Sequence, residues 1–435
     1  MSILPVLLAL LVSPPVGHWE GAFSRDGAIQ GISVDLAVTD GKLSGTYDMP
    51  ELGLVDEPLE QVSWNPPELS IKVRYGTFAM IVHPDVDEMT GVNAKWGPPV
   101  RLHLKRTLPD TRPKVPRDDV QFRNGQVTLA GTLFKPFGPG PWPVVVVVQG
   151  SGAQGRKSAT YASWGRFFAE RGIAALVYDK RGVGASTGNW ETSTFDDLAG
   201  DAAAAVELVA GRKDIDRSRI CLMGISQGGW VAPLALTKTR NVSSLILDVG
   251  PAVTVEQQEL DRVEFTMRDN EQTDADIAEA LAYTRAVFDV AYRGASLDKL
   301  VADGKPLRSK AWAEYVQFVD SEADLEGWRL SRYDPAPVLR KTKIPVLSIF
   351  GENDVLVPPA RNQALMEQYL KEAGNTDVTI RVIPRAGHDM ETRRTLEGGD
   401  WAWPEKFWVW NRRSPVFYET ILAWLEKRFA ADSRR

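Results

Sequence analysis

Two hydrophobic grammars follow one another along the 435-residue chain. From His18 to about Leu108, apolar and polar residues alternate. Ile32, Val34, Leu36 and Val38 keep a period of two, Asp40-Gly41 interrupts it, and Leu43 to Tyr47 resumes it. Leu69, Ile71 and Val73 repeat the pattern, as do Val100, Leu102 and Leu104. A period of two broken by Gly, Pro and Asp predicts half-buried strands, forming an antiparallel meander or small barrel over 18–108. Residues 109–117 hold three prolines and four charged residues and read as a linker.

From Asp118 the pattern changes. A hairpin (Val120–Arg123 and Val127–Lys135 around Asn124-Gly125) precedes Val144–Val148, five consecutive valines. Such a run fits a strand buried on both faces of a parallel sheet. Helical and strand segments then alternate: helix Tyr161–Arg171, strand Ile173–Tyr178, helix Phe195–Ala210, strand Arg219–Gly224, helix Gln227–Lys238 and strand Leu245–Val249. Thr194, with Asp197 three residues on, forms a capping signal for the second helix. Strand Val346–Phe350, helix Ala360–Ala373, strand Val378–Ile383 and helix Val416–Phe429 complete the series. Strand–helix alternation predicts a doubly wound, mostly parallel α/β sheet over 118–435. The acidic stretch 252–333 has helical periodicity and no strand signal, so it is expected to be an inserted helical cap.

Composition narrows the chemistry. With 43% hydrophobic and 25% charged residues the chain is an ordinary globular one, which excludes wholesale disorder. A net charge of −6 disfavours nucleic acid as a partner. There is one cysteine, Cys221, and there are four histidines, His18, His83, His103 and His388. No internal disulfide is possible, and without CxxC or HExxH spacing neither a metal nor any other cofactor is expected. Cys221 reads as a buried structural thiol. The apolar run Ile3–Val12 is too short to span a bilayer, which needs about 20 residues. Residues 1–17 are therefore expected to be a signal peptide directing export to the periplasm or medium. No basic residue precedes the run and Pro15 and Gly17 make a poor cleavage site. With a mis-assigned start codon the protein would instead be cytoplasmic.

Gly150-Ser151-Gly152-Ala153-Gln154-Gly155 follows the valine strand and satisfies G-x-G-x-x-G, with Asp179 ending the next strand. The stretch also approaches a phosphate-binding G-x-x-x-x-G-K-[ST] loop. Both nucleotide readings have physical faults. Arg156 stands where the phosphate-binding lysine belongs, and a hairpin precedes the fingerprint strand of what should open a dinucleotide fold.

Gly224-Ile225-Ser226-Gln227-Gly228 is G-x-S-x-G between a strand and a helix. A sharp strand-to-helix turn lifts a serine Oγ above the sheet, and flanking glycines let the backbone pass closely. A serine hydroxyl needs a base, and the base an orienting acid. His388 is the one histidine beyond Asp118, in Ala386-Gly387-His388 just after a strand. Asp354, in Gly351–Pro358 at the end of the preceding strand, is the expected acid, with Asp248 as the alternative. Glu352 and Asp389 read as solvated loop carboxylates. The backbone N–H of Gln227, after the nucleophile, and of Ser151, after the valine strand, are expected to form the oxyanion hole.

Together, Gln149-Gly150-Ser151-Gly152, Asp179-Lys180-Arg181-Gly182-Val183-Gly184-Ala185-Ser186, Gly224–Gly229, Gly351–Pro358 and Ala386-Gly387-His388 resemble the α/β-hydrolase superfamily. The likeness is nearer to bacterial EstD-type carboxylesterases and to serine aminopeptidase-like (S33-type) hydrolases. It covers about Asp118 to Phe429 and departs at Gln149, where relatives often carry His. It implies an α/β-hydrolase fold with an inserted cap and a β-rich N-terminal domain, and a carboxylesterase acting through an acyl-enzyme with Ser226, His388 and Asp354. A small ester or a short peptide is the expected partner.

The alternatives are an aminopeptidase, with Glu256, Glu259 or Asp261 anchoring the substrate ammonium, and a degenerate hydrolase kept as a binding module. Trp401, Trp403 and Trp408, with Phe407 and Trp410, read equally as an apolar substrate wall or as a packed satellite cluster. Activity is expected to rise with pH as His388 loses its proton, near ~6.5 if unshifted.

Overall fold

The computed structural model describes residues 13–25, 28–49, 54–73, 76–93, 100–108, 114–392 and 412–430. Residues 1–12, which hold most of the expected signal peptide, and Trp401, Trp403, Phe407, Trp408 and Trp410 lie outside the described residues. Two compact units divide between Lys114 and Val115.

The first unit is one antiparallel sheet of nine strands. These are β1 (Gly17–Arg25), β2 (Ala28–Thr39), β3 (Lys42–Met49), β4 (Leu54–Pro58), β5 (Gln61–Asn65), β6 (Glu68–Val73), β7 (Gly76–His83), β8 (Glu88–Asn93) and β9 (Val100–Thr107). Their order is β4-β3-β2-β1-β9-β8-β7-β6-β5, and β3 approaches β5, so the sheet curls towards closure. The period of two has its cause here. One face, carrying Trp19, Ile32, Val34, Leu36, Leu69, Ile71, Val73, Phe78, Leu102 and Leu104, is buried, and the intervening residues face out. Val38 departs from the pattern at 48% exposure, because it sits where β2 runs into the Asp40-Gly41 turn. Pro15 and Gly17 are part of this unit: the Pro15 carbonyl accepts from the buried Trp19 indole, and Gly17 begins β1.

The second unit carries an eight-stranded sheet. Its strands are β10 (Arg117–Asn124), β11 (Val127–Phe134), β12 (Trp142–Val148), β13 (Ala174–Tyr178), β14 (Ile215–Ile225), β15 (Ser244–Asp248), β16 (Val346–Gly351) and β17 (Val378–Ile383). The order is β10-β11-β13-β12-β14-β15-β16-β17. The hairpin β10–β11 joins β13 antiparallel, and every pairing from β13 to β17 is parallel.

Helices cover both faces. Val144, Val146 and Val148 pack with α2 (Phe195–Ala210), α3 (Gly228–Ala235) and α9 (Pro359–Glu372). Val145 and Val147 pack on the opposite face with α1 (Ala159–Ala169) and α10 (Pro415–Ala430). The five valines are apolar without alternation because both of their faces are core. Thr194 and Asp197 cap α2 reciprocally, as their spacing predicts.

Most boundaries differ from expectation by one to three residues, and two of the differences have a local cause. Strand β14 begins at Ile215, four residues before the expected Arg219, because Trp142 pairs with Ile215 and a register shift follows before Val144 meets Ile220. Helix α3 ends at Ala235, short of Lys238. Its last turn tightens, with the amides of Leu236, Thr237 and Lys238 each bonding three residues back.

The stretch between β15 and β16 is helical, as expected. It holds α4 (Val255–Asp269), α5 (Asp274–Arg293), α6 (Leu297–Leu307) and α7 (Glu322–Leu330), with a short α8 (Ala336–Leu339) before the sheet resumes. These helices enclose a core of their own, built on Val263, Met267, Ile277, Val287, Trp312 and Leu325.

The motif after β13 is locked by buried charge. Arg181 makes a two-pronged bond to Asp201 on α2 at 2.7 Å on each arm, and also donates to the Asp197 carbonyl and Ser193. Replacing Arg181 by Met leaves the Asp201 carboxylate buried with only Asn124 beside it. The expected cost is about 3–5 kcal/mol. It is read as a lower thermal midpoint for Arg181→Met, and an unchanged midpoint overturns the assignment.

Candidate active site

The turn from β14 to α3 carries a strained residue. Ser226 has φ of 54°, a left-handed conformation that side chains with a Cβ avoid. Its amide donates to the Asp248 carbonyl at 2.9 Å, and its own carbonyl accepts from Gly229 at 2.7 Å. The glycines are set by close approach. A Cβ on Gly228 would lie 2.4 Å from the Val148 carbonyl oxygen, and one on Gly224 would lie 2.1 Å from the Gly228 oxygen. Only bare backbone fits on either side of the serine.

His388 follows β17 and reaches both other residues. Its Nδ1 lies 2.9 Å from Asp354 Oδ2, and its Nε2 lies 3.0 Å from Ser226 Oγ. A carboxylate can only accept, so Nδ1 carries the proton and Nε2 is left to accept from the serine hydroxyl. Asp354 is fixed from its other side, where Oδ1 accepts from the amides of Leu356 and Val357 at 2.8 Å each.

The structure brings Asp354, and not Asp248, to the histidine. Asp248 is also buried, its Oδ1 has no hydrogen-bond partner among the described residues, and burial pushes its pKa up to about 7. Burial is the largest influence on His388 and pulls its pKa down. The hydrogen bond and charge of Asp354, with the charges of Asp389 and Asp248, outweigh it and hold His388 above its ordinary 6.5. Asp389 is exposed, and Glu352 is exposed and accepts from the Arg385 amide.

The loop after β12 stands against the serine: a Cβ on Gly150 would lie 3.4 Å from Ser226 Cβ. The Gly150 amide is occupied, donating to the Tyr161 hydroxyl at 2.9 Å. The amides of Ser151 and Gln227 meet no protein acceptor among the described residues. Gln149, the departure from the usual pattern, is buried and donates from Nε2 to the Tyr178 carbonyl, which ties the ends of β12 and β13 together.

The glycine-rich decoy also finds its cause. Asp179 accepts from the amides of Arg156 and Ala185 and pairs with the Arg156 side chain at 3.4 Å. Its carboxylate joins the two glycine turns to each other, where a dinucleotide fold would use it on a ribose.

Other candidates fall outside this geometry. Cys221 is fully buried, and burial pushes its thiol up to about 12. His18 bonds Asp35 and Glu20, His83 bonds Thr90 and His103 bonds Glu88, all within the first unit. Among the described residues no cluster of His, Cys, Asp and Glu could hold a metal ion, and no helix is long and apolar enough to cross a membrane. Tyr161 and Lys180 belong to the site's surroundings and were not singled out by sequence reasoning. Lys180 stood inside a quoted motif, but lysine is ordinarily exposed.

Ser226 in the turn after the fifth strand, Asp354 after the seventh and His388 after the eighth, on a sheet whose second strand alone runs antiparallel within β11–β17, match one fold. Comparison with known proteins agrees. The family model described as "Serine aminopeptidase, S33" matches residues 140–299. Esterase EstD of Thermotoga maritima is 25% identical over 286 residues, covering 63% of this chain and 61% of that protein. The chain has an α/β-hydrolase fold and is similar in sequence to these hydrolases. Polyketide transferase grgF of a Penicillium species is 31% identical over 147 residues, covering 33% of this chain and 48% of that protein. The chain thus spans about three fifths of the first relative and about half of the second. Among solved structures, the Pyrococcus furiosus esterase Pf2001 aligns at a TM-score of 0.45 and 19% identity, over 74% of this chain and 96% of that one.

Tyr161→Phe removes the acceptor from the Gly150 amide and leaves a buried N–H without a partner. A stability loss of about 1–3 kcal/mol is expected, read as a lower denaturation midpoint. A variant as stable as the parent shows that the loop finds another acceptor.

Proposed function

We propose that this hydrolase cleaves carboxylic esters through an acyl-enzyme, with Ser226 as nucleophile, His388 as general base and acid, and Asp354 as the orienting carboxylate. The observation that carries the proposal is the continuous chain of hydrogen bonds from Ser226 Oγ through His388 to Asp354. Ser226 Oγ attacks the ester carbonyl as its proton passes to His388 Nε2. The carbonyl oxygen becomes an oxyanion, for which the free amides of Ser151 and Gln227 are the donors. As the tetrahedral species collapses, His388 returns the proton to the departing alkoxide. Water then enters, gives its proton to His388 and releases the acid, and Ser226 regains its proton.

The aminopeptidase reading is supported by the description of the family model, but the acids it would use are engaged. Glu256 bonds Arg293, Glu259 makes a two-armed bond to Arg262, and Asp261 is buried beside Gln257 with Arg361 at 3.5 Å. Esters need no ammonium anchor, so they are preferred as substrate. Parallel assays on nitrophenyl esters and aminoacyl anilides separate the two readings, and faster turnover of the anilides reverses the preference.

Ser226→Ala is expected to abolish hydrolysis of short-chain nitrophenyl esters, and wild-type turnover in that variant would falsify the proposal. Asp354→Asn keeps the shape but removes the carboxylate that selects the tautomer, and kcat is expected to fall by about 10⁴. Only neutral His388 can accept the serine proton, and its pKa is raised. The ascending limb of kcat/KM is therefore expected above pH 6.5 in the wild type and at lower pH in Asp354→Asn. A limb at or below 6.5 in the wild type contradicts the electrostatic account.

A further inference from the structure

Lys180 is 4% exposed and sits in the turn after β13, between residues whose charges are spent elsewhere. Asp179 is held by Arg156 and the Ala185 amide, and Arg181 by Asp201. Arg156, on the facing loop, is turned to Asp179 and Asp119, and His388, beyond the elbow, to Ser226 and Asp354. Among the described residues no carboxylate lies within ion-pair distance of the Lys180 ammonium. Its two acceptors are the Gly150 carbonyl at 2.5 Å and Gln227 Oε1 at 3.2 Å, and the Trp190 ring stands 5.9 Å away.

Both acceptors belong to the oxyanion site. The Gly150 carbonyl is the other half of the peptide that carries the Ser151 N–H. A trans peptide points its C=O and N–H in opposite directions, so a cation fixing the oxygen fixes where the Ser151 N–H aims. A charge-assisted bond to the oxygen also polarises the amide and strengthens its N–H as a donor. The second bond holds the Gln227 side chain, and Gln227 supplies the other amide.

We propose that Lys180 is a positioning residue of the oxyanion hole, one ammonium holding from behind the two backbone segments whose N–H groups receive the developing charge. The inference rests on the serine-hydrolase reading above. Its role differs from that of a structural ion pair, because the lysine has no anion to neutralise. Burial without a counter-charge lowers its pKa to about 8. The bond to Gly150 therefore loses its charge assistance as pH rises through that region, while a neutral amine still donates weakly.

The test uses the full-length protein and the variant Lys180→Met, close in length but unable to donate. Nitrophenyl acetate turnover and the affinity of an alkyl boronic acid, which becomes a tetrahedral anion on the serine, are measured together. The expected result is a kcat lower by about tenfold or more, below the ~10²–10³ of outright donor loss, at little changed KM, with boronate affinity falling in step. Wild-type kcat is expected to decline partially near pH 8, and the variant to lack that decline. A folded variant with wild-type kcat and boronate affinity overturns the proposal. So does a variant whose kcat falls while boronate affinity holds, since that is the mark of general loosening. If the variant does not fold, the wild-type profile decides alone: a flat kcat from pH 7 to 10 overturns the proposal. Failure of the underlying reading is seen separately, as persistent turnover in Ser226→Ala.

Discussion

Everything in the catalytic unit depends on one left-handed backbone residue. Ser226 can hold that conformation only because the peptide on either side of it is clamped. Its amide is bonded to the end of β15, its carbonyl to the start of α3, and the adjacent glycines lie against the backbone of β12 and of the turn itself. The clamp requires the central strands to end at one level, and the parallel register of β12, β14 and β15 meets that demand. The buried valines, the helices on both faces and the capped start of α2 serve to keep those strand ends fixed. Strain at the serine is thus held by the whole sheet.

Much of this was legible in the residue pattern. The switch from a period of two to strand–helix alternation marks where one unit gives way to the other, because a one-sided curled sheet and a two-sided parallel sheet bury different positions. The three side chains that the structure joins by hydrogen bonds were legible because a serine between glycines, an aspartate after a strand and a lone histidine each occupy a loop at a strand end. What the pattern could not give is side-chain partnership. Asp248 and Asp354 both end or follow a strand, and only the fold brings one of them to His388. Lys180 resembles any surface lysine until its neighbours are placed. The start of β14 was missed because Asp216, Arg217 and Ser218 are polar and fall within the register shift between the Trp142–Ile215 and Val144–Ile220 pairs.

The electrostatics of the site follow from unequal burial of like groups. Asp354 keeps three hydrogen bonds, two from backbone amides and one from the imidazole. Asp248, equally enclosed and lacking those amides, is pushed towards neutrality. One carboxylate is consequently held in a fixed direction toward the histidine, while the other adds a field that weakens as it takes up a proton. The same logic separates the two neighbouring cations: Arg181 is neutralised by Asp201, and Lys180 is left to act on carbonyl and amide dipoles.

The helical insertion leaves the sheet after β15 and returns at β16, two strands that are direct parallel neighbours. A parallel pair needs a crossover whatever its contents, and lengthening such a connection costs little. The insertion also closes a core of its own and is tied down at few points, such as the Ala252 amide on Asn362 and the Gln258 side chain on the Leu356 carbonyl. The architecture is therefore modular. The insertion can change in length and in sequence without disturbing the register that keeps the serine, the histidine and the aspartate in line.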